Sequence, residues 1–136
     1  MNKICTTIEQ SKKLVELGID VSTADMYYSY NMNIQTGEWE LGKTPVIIDG
    51  FKKIDPAHDV PAWSLTKLIN LIPKIIGDYN RVFRMDVGEL DTSMWYDELG
   101  SGVDSDLPDI TMNSMVDTAF EMICKLKENK KKRKIF

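Results

Sequence analysis

The sequence predicts an α+β fold: a small antiparallel sheet from two hairpin-like regions, packed by N-terminal, central and C-terminal helices. Apolar residues recur at helical spacing near both ends and in the middle of the chain. Between those stretches lie aromatic and β-branched runs bounded by turn residues, one of them alternating with a period of two. The length of 136 residues, 43% of them hydrophobic and 28% charged, suits one domain with a packed core. We place that domain at residues 1–129 and a basic C-terminal tail at 130–136.

The first helix opens at Thr6 or Thr7, with Glu9 or Gln10 three residues on to complete a capping box. Ile8, Ser11, Leu14, Val15 and Leu17 give it a modest apolar face, and Gly18 followed by Ile19 fits the left-handed residue after a helix end. Ser22 and Asp25 form a second capping pair that opens a turn or short helix. Met26 to Ile34 reads as strand, Gln35 to Glu38 as turn, and Trp39 to Leu41 as the returning strand. Val46-Ile47-Ile48 is another short β-branched run. Ser64 caps a central helix in which Leu65, Leu68, Ile69 and Ile72 share a face, and Pro73 stops or kinks it. From Tyr79 to Val87 the pattern alternates. Tyr79, Arg81, Phe83, Met85 and Val87 fall on one face and Asn80, Val82, Arg84 and Asp86 on the other, which argues for a strand with one buried face. Met94-Trp95-Tyr96 is the return strand, and Ser101 to Pro108 is read as loop. The last helix takes in Met112, Met115, Val116, Ala119, Ile123 and Leu126, with lysines in its final turn where the helix dipole is negative.

Charge is unevenly distributed. Residues 125–136 carry seven basic side chains against one acidic, a net of +6, whereas the preceding residues carry ten basic and twenty acidic, a net of −10, which gives −4 for the chain. The run Lys130, Lys131, Lys132, Arg133 and Lys134 is the candidate nucleic-acid contact, since clustered cations neutralise phosphates. The acidic body opposes that role, because it repels a phosphate backbone. A solvated, solubilising helix end is the plainer reading of the same run, and an import signal would need a eukaryotic host.

Other signals that resemble chemistry fail on their surroundings. Gly37-Glu38-Trp39-Glu40-Leu41-Gly42-Lys43-Thr44 matches the phosphate-loop pattern letter for letter. Its two glutamates would sit where phosphates bind, and Pro45 and a β-branched run follow where a helix is required, so we read a hairpin turn and its strand. His58, the sole histidine, lies in a proline-flanked loop and reads as solvated. With one histidine, and with Cys5 and Cys124 at opposite ends, neither a zinc site nor a disulfide framework is expected; the cysteines read as buried thiols, with a bridge tying the two terminal helices as the alternative. Residues 86–109 hold eight carboxylates and no basic residue, yet the calcium-loop pattern fails: counted from Asp104, the glycine position holds Asp109 and the twelfth holds Met115. This acidic segment either faces solvent or pairs with the basic tail. No catalytic, cofactor or metal residues are assigned, and no cofactor is expected. Tyr27, Tyr28, Tyr30, Trp39, Trp63, Trp95 and Tyr96 read as core and cross-strand pairs rather than base-stacking platforms.

Met1 to Leu17 contains no continuous apolar run and Leu65 to Ile76 is too short to cross a bilayer, so neither a secretory leader nor a membrane contact is expected, and the cytoplasm is the expected location.

The phrases Thr23-Ala24-Asp25-Met26-Tyr27-Tyr28, Pro61-Ala62-Trp63-Ser64-Leu65 with Leu68-Ile69-Asn70-Leu71-Ile72-Pro73, and Asp117-Thr118-Ala119-Phe120-Glu121-Met122 resemble small uncharacterised proteins of phages and mobile elements from gut anaerobic bacteria. The resemblance spans about Thr7 to Glu128, leaves out the basic tail, and implies a bacterial or phage cytosol; it carries no activity, cofactor or site residue. The expected function is a non-enzymatic accessory protein that mediates protein–protein interaction, with a protein partner or with itself. The alternatives are a nucleic-acid-associated protein using the tail, and an enzyme of unrecognised type.

Overall fold

A computed structural model describes residues 4–31, 38–42, 47–48, 51–52, 59–76, 81–98, 102–103 and 107–129. The architecture is α+β, with every strand pairing antiparallel. It divides into two compact units, Cys5–Lys67 and Leu68–Phe136, the second taking in Met1–Ile4. The two hairpin regions predicted to share one sheet belong to separate sheets, one in each unit.

In the first unit, helix α1 (Ile8–Glu16) starts on a complete capping box: Gln10 N–H donates to the Thr7 hydroxyl at 3.1 Å, and Thr7 N–H donates to Gln10 Oε1 at 3.0 Å. It ends in a Schellman motif. Gly18 sits at φ +86°, its N–H donates to the Val15 carbonyl, and Ile19 N–H reaches back to the Leu14 carbonyl. A 3₁₀ turn follows at Val21–Thr23. Strands β1 (Met26–Asn31), β2 (Glu38–Gly42) and β5 (Asp59–Ala62) form a sheet in the order β2-β1-β5, and β3 (Ile47–Ile48) pairs with β4 (Phe51–Lys52). Buried Tyr27, Val60, Ala62 and Trp63 pack with Leu14 and Ile19 in this unit's core.

The capping residue of the 3₁₀ turn differs from the sequence expectation. Asp20, not Ser22, accepts the capping bond, from Ser22 N–H at 2.9 Å. Asp25 instead accepts from both the backbone N–H (2.9 Å) and the hydroxyl (2.6 Å) of Ser64, so a carboxylate far along the chain holds the residue that opens helix α2 (Leu65–Leu71).

In the second unit, β6 (Ile75–Ile76), β7 (Arg81–Val87), β8 (Thr92–Glu98) and β10 (Ile110–Met112) form a sheet in the order β10-β8-β7-β6, with β9 (Gly102–Val103) also pairing with β8. Two sequence readings change here. Gly102–Val103 forms a short strand within the segment read as loop, and Met112, assigned to the last helix, pairs with Thr92 as the end of β10. Helix α3 (Met115–Asn129) starts three residues later on Ser114, whose hydroxyl accepts from Asp117 N–H at 3.3 Å. Met94 and Tyr96 from the sheet and Val116, Ala119, Phe120, Met122, Ile123 and Leu126 from α3 are buried together. No helix among the described residues is long and apolar enough to cross a membrane.

Candidate functional site

Two groups of side chains have the chemistry to be considered. The first is a polar cluster in the Cys5–Lys67 unit. Thr6 and Ser11, both fully buried, share a hydroxyl–hydroxyl bond of 2.7 Å, and Trp63 N–H donates to Thr6 Oγ1 at 3.1 Å. Tyr28 donates its phenol to the Thr6 carbonyl at 2.8 Å and lies 3.6 Å from Cys5 Sγ, while Trp63 Nε1 donates to Thr23 Oγ1 at 2.9 Å. Burial pushes the Cys5 thiol above its ordinary range. The Tyr28 phenol is raised too, by burial first and then by its contact with Cys5. A nucleophile needs the opposite shift. Among the described residues no buried side-chain polar atom lacks a partner. Each member therefore has a structural partner, and the cluster fastens α1, β1 and β5 together.

The second group lies on the hairpin of β7 and β8. Its register pairs Phe83 with Tyr96, Met85 with Met94 and Val87 with Thr92, so all six side chains share one face. On β8 that face is fully covered, since Met94, Tyr96 and Thr92 are buried beneath α3, whose Thr118 hydroxyl donates to the Thr92 carbonyl. On β7 it is not. Met85 is 42% exposed and Val87 51%, and Leu90 in the connecting turn reaches 85%. The alternation predicts one buried face on this strand, yet no residue of β7 is buried: the cover stops one strand short. A helix about 10 Å wide spans roughly two strands spaced about 4.8 Å apart. Helix α3 lies over β8 and β10, which leaves the outer row bare.

Past Phe83 the outer backbone edge of β7 is also open among the described residues. Gly88 N–H donates to the Asp91 carbonyl at 2.8 Å, continuing the ladder, so the hydrogen-bonded pairs with β8 fall at Asp86–Ser93, Arg84–Trp95 and Val82–Asp97. The N–H and C=O groups of Phe83, Met85 and Val87 must then point away from β8. Phe83 confirms the parity, because its N–H donates to the Lys74 carbonyl at 2.9 Å, just before β6 begins. Beyond that point β6 gives no cover, and among the described residues no backbone group meets the outer edge of Met85 or Val87.

The opposite face is polar. Arg84 pairs with Asp97 at 3.4 Å, Trp95 Nε1 donates to Asp97 at 3.2 Å, and Ser93 bonds Thr111 at 2.8 Å. Asp86, Glu89 and Asp91 are exposed, which leaves a negative rim around the open edge. At its other end the edge is anchored. Lys74 folds its ammonium back onto the Ile69 and Ile72 carbonyls and lies 5.6 Å from the Phe83 ring centre, while the Tyr96 phenol donates to the Pro73 carbonyl at 2.5 Å. Desolvation lowers the Lys74 pKa, and burial raises that of Tyr96.

The candidate nucleic-acid residues Lys130, Lys131, Lys132, Arg133 and Lys134 lie outside the described residues, as do His58, Gly37, Lys43 and Thr44. The described part of the phosphate-loop look-alike is β2, in register with β1 from Tyr27↔Gly42 to Asn31↔Glu38. Cys5 and Cys124 are buried thiols, not a disulfide. Among the described residues no group of three histidine, cysteine or carboxylate side chains could hold a metal ion. Comparison with protein families, curated proteins and solved structures finds no match.

Proposed function

We propose that this chain is a non-enzymatic accessory protein of a bacterial phage or mobile element, and that it acts in the cytoplasm by binding another protein through the β7–β8 hairpin. The observation that carries the reading is the coincidence, on one hairpin, of backbone groups at Met85 and Val87 that have no partner among the described residues with exposed apolar side chains at Met85, Val87 and, in the turn, Leu90. An open edge is a standing template for another strand, and folded proteins ordinarily cover it or blunt it with charge. On β7 itself, Arg84 is engaged by Asp97. The resemblance of the Thr23–Tyr28 and Pro61–Pro73 phrases to phage and mobile-element proteins supports the setting.

The test is photo-crosslinking in the cells of origin, with a diazirine side chain at Leu90 and, as control, at Val21, which is exposed on the other unit. The reading expects one discrete protein adduct from Leu90 and none from Val21. Adducts of equal yield from both positions, or none from Leu90, would remove its support.

The net +6 of residues 125–136 supports a second reading, in which the tail grips nucleic acid. That reading expects binding that weakens steeply with salt and vanishes when residues 125–136 are removed.

A further inference from the structure

We infer that the open edge of β7 takes a short extended segment of another protein in which apolar and basic residues alternate; this rests on the protein-binding reading above. The length, hydrogen bonding and side-chain pattern of the missing strand all follow from β7.

The lane beside β7 is closed at Phe83, where Lys74 already accepts the outward N–H, and ends at the turn that begins with Gly88. The occupant is therefore only about four residues long, pairing opposite Arg84 to Val87. It exchanges hydrogen bonds with the outward N–H and C=O groups of Met85 and Val87. Side chains across a strand pair share a face, so the residues opposite Met85 and Val87 lie over the uncovered apolar row and are apolar. The residue between them lies opposite Asp86 on the polar face, where Asp86 is exposed and Arg84 is held by Asp97. A lysine or arginine meets that carboxylate, and a second one past the end of the lane meets Glu89 and Asp91.

A second copy of this chain does not satisfy these conditions. Phe83-Arg84-Met85 has the required apolar–basic–apolar pattern, but pairing it with Val87-Asp86-Met85 of a twin puts the twin's Val87 into the lane beside Phe83, where Lys74 stands. Sliding the pair until both strands clear Lys74 brings Asp86 of each copy together, and like charges directly opposite are destabilising.

The experiment uses the full chain, isotope-labelled, with two capped hexapeptides: one alternating valine and lysine, the other valine and glutamate. The inference expects the lysine peptide to slow amide exchange at Met85 and Val87 by about tenfold or more while leaving the already paired Asp86 amide unchanged. Binding should weaken several-fold as salt rises from about 0.05 to about 0.5 M, because the exposed charges are screened. Val87→Pro removes one outward N–H without breaking a bond to β8 and should abolish the protection at Met85. Asp86→Lys should reverse the preference toward the glutamate peptide. Equal binding of the two peptides, protection at other strands, no binding by either, or concentration-dependent dimerisation that protects Met85 and Val87 without peptide would each overturn the inference. If the peptides fail but the Leu90 crosslink forms, only the partner's chemistry is wrong; if both fail, the protein-binding reading falls as well.

Discussion

Thr6→Val is the perturbation whose cost can be worked most directly from the structure. The substitution keeps the branched shape and removes one oxygen. That oxygen accepts from the Trp63 backbone N–H at 3.1 Å and shares a bond with the Ser11 hydroxyl at 2.7 Å, in a site where Thr6, Ser11 and Trp63 are all fully buried. Stranding a buried N–H costs about 1–3 kcal/mol, and the loss of a partner for Ser11 adds roughly 1 more. The expected destabilisation is about 2–4 kcal/mol. Because the chain has two compact units, the assay is hydrogen exchange at the Leu14 amide, inside α1 of the same unit and not bonded to Thr6, which reads the opening of that unit. At 1.4 kcal/mol per tenfold, exchange should quicken by roughly 30-fold to several hundred-fold. Adding Ser11→Ala removes the second stranded group and should recover about 1 kcal/mol. An acceleration under about threefold in Thr6→Val, or a double variant as unstable as the two single losses summed, would mean that the Thr6 hydroxyl does not hold this cluster together.

Asp25→Ala removes the acceptor of both Ser64 bonds and should cost about 1–2 kcal/mol, with faster amide exchange in the first turn of α2; Asp25→Asn, which keeps one acceptor oxygen, should cost less. Gly18→Ala should cost about 1–2 kcal/mol in thermal unfolding, a purely conformational penalty at φ +86°, since nothing lies within 4 Å of the added carbon. Cys5, Tyr28 and Tyr96 all have raised pKa values, so the folded state holds these protons more tightly than the unfolded chain does. Their contribution is complete below the unfolded pKa values, about 8.5 for cysteine and about 10 for tyrosine, and is lost as pH rises through the folded ones. Urea midpoints should therefore fall steadily from about pH 8.5 upward, whereas a flat profile to pH 11 would contradict the assignment.

What the sequence made legible was local. Thr7 with Gln10 and Gly18 with Ile19 sit within a few residues of the bonds they form, and both ends of α1 follow from them. Proximity in sequence points Asp25 to Ser22, whereas its partner, Ser64, is brought to it by the pairing of β1 with β5. Met112 extends the helical spacing of α3 by arithmetic, but its backbone is claimed by Thr92 on β8. Alternation along β7 identified which side chains share a face with the core; it carries no information about whether a neighbouring helix is wide enough to cover them. A hint was available. A single long amphipathic helix follows at least three strands, and such a helix covers roughly two.

Residue-resolved amide hydrogen exchange on the free protein decides whether the outer edge of β7 is open from Met85 to Val87. An open edge gives alternation along the strand: slow exchange at Arg84 and Asp86, whose N–H groups donate to β8, and fast exchange at Met85 and Val87, whose N–H groups face outward. Protection at Met85 and Val87 equal to that at Arg84 and Asp86 would mean that the edge is already covered and that no strand can add there.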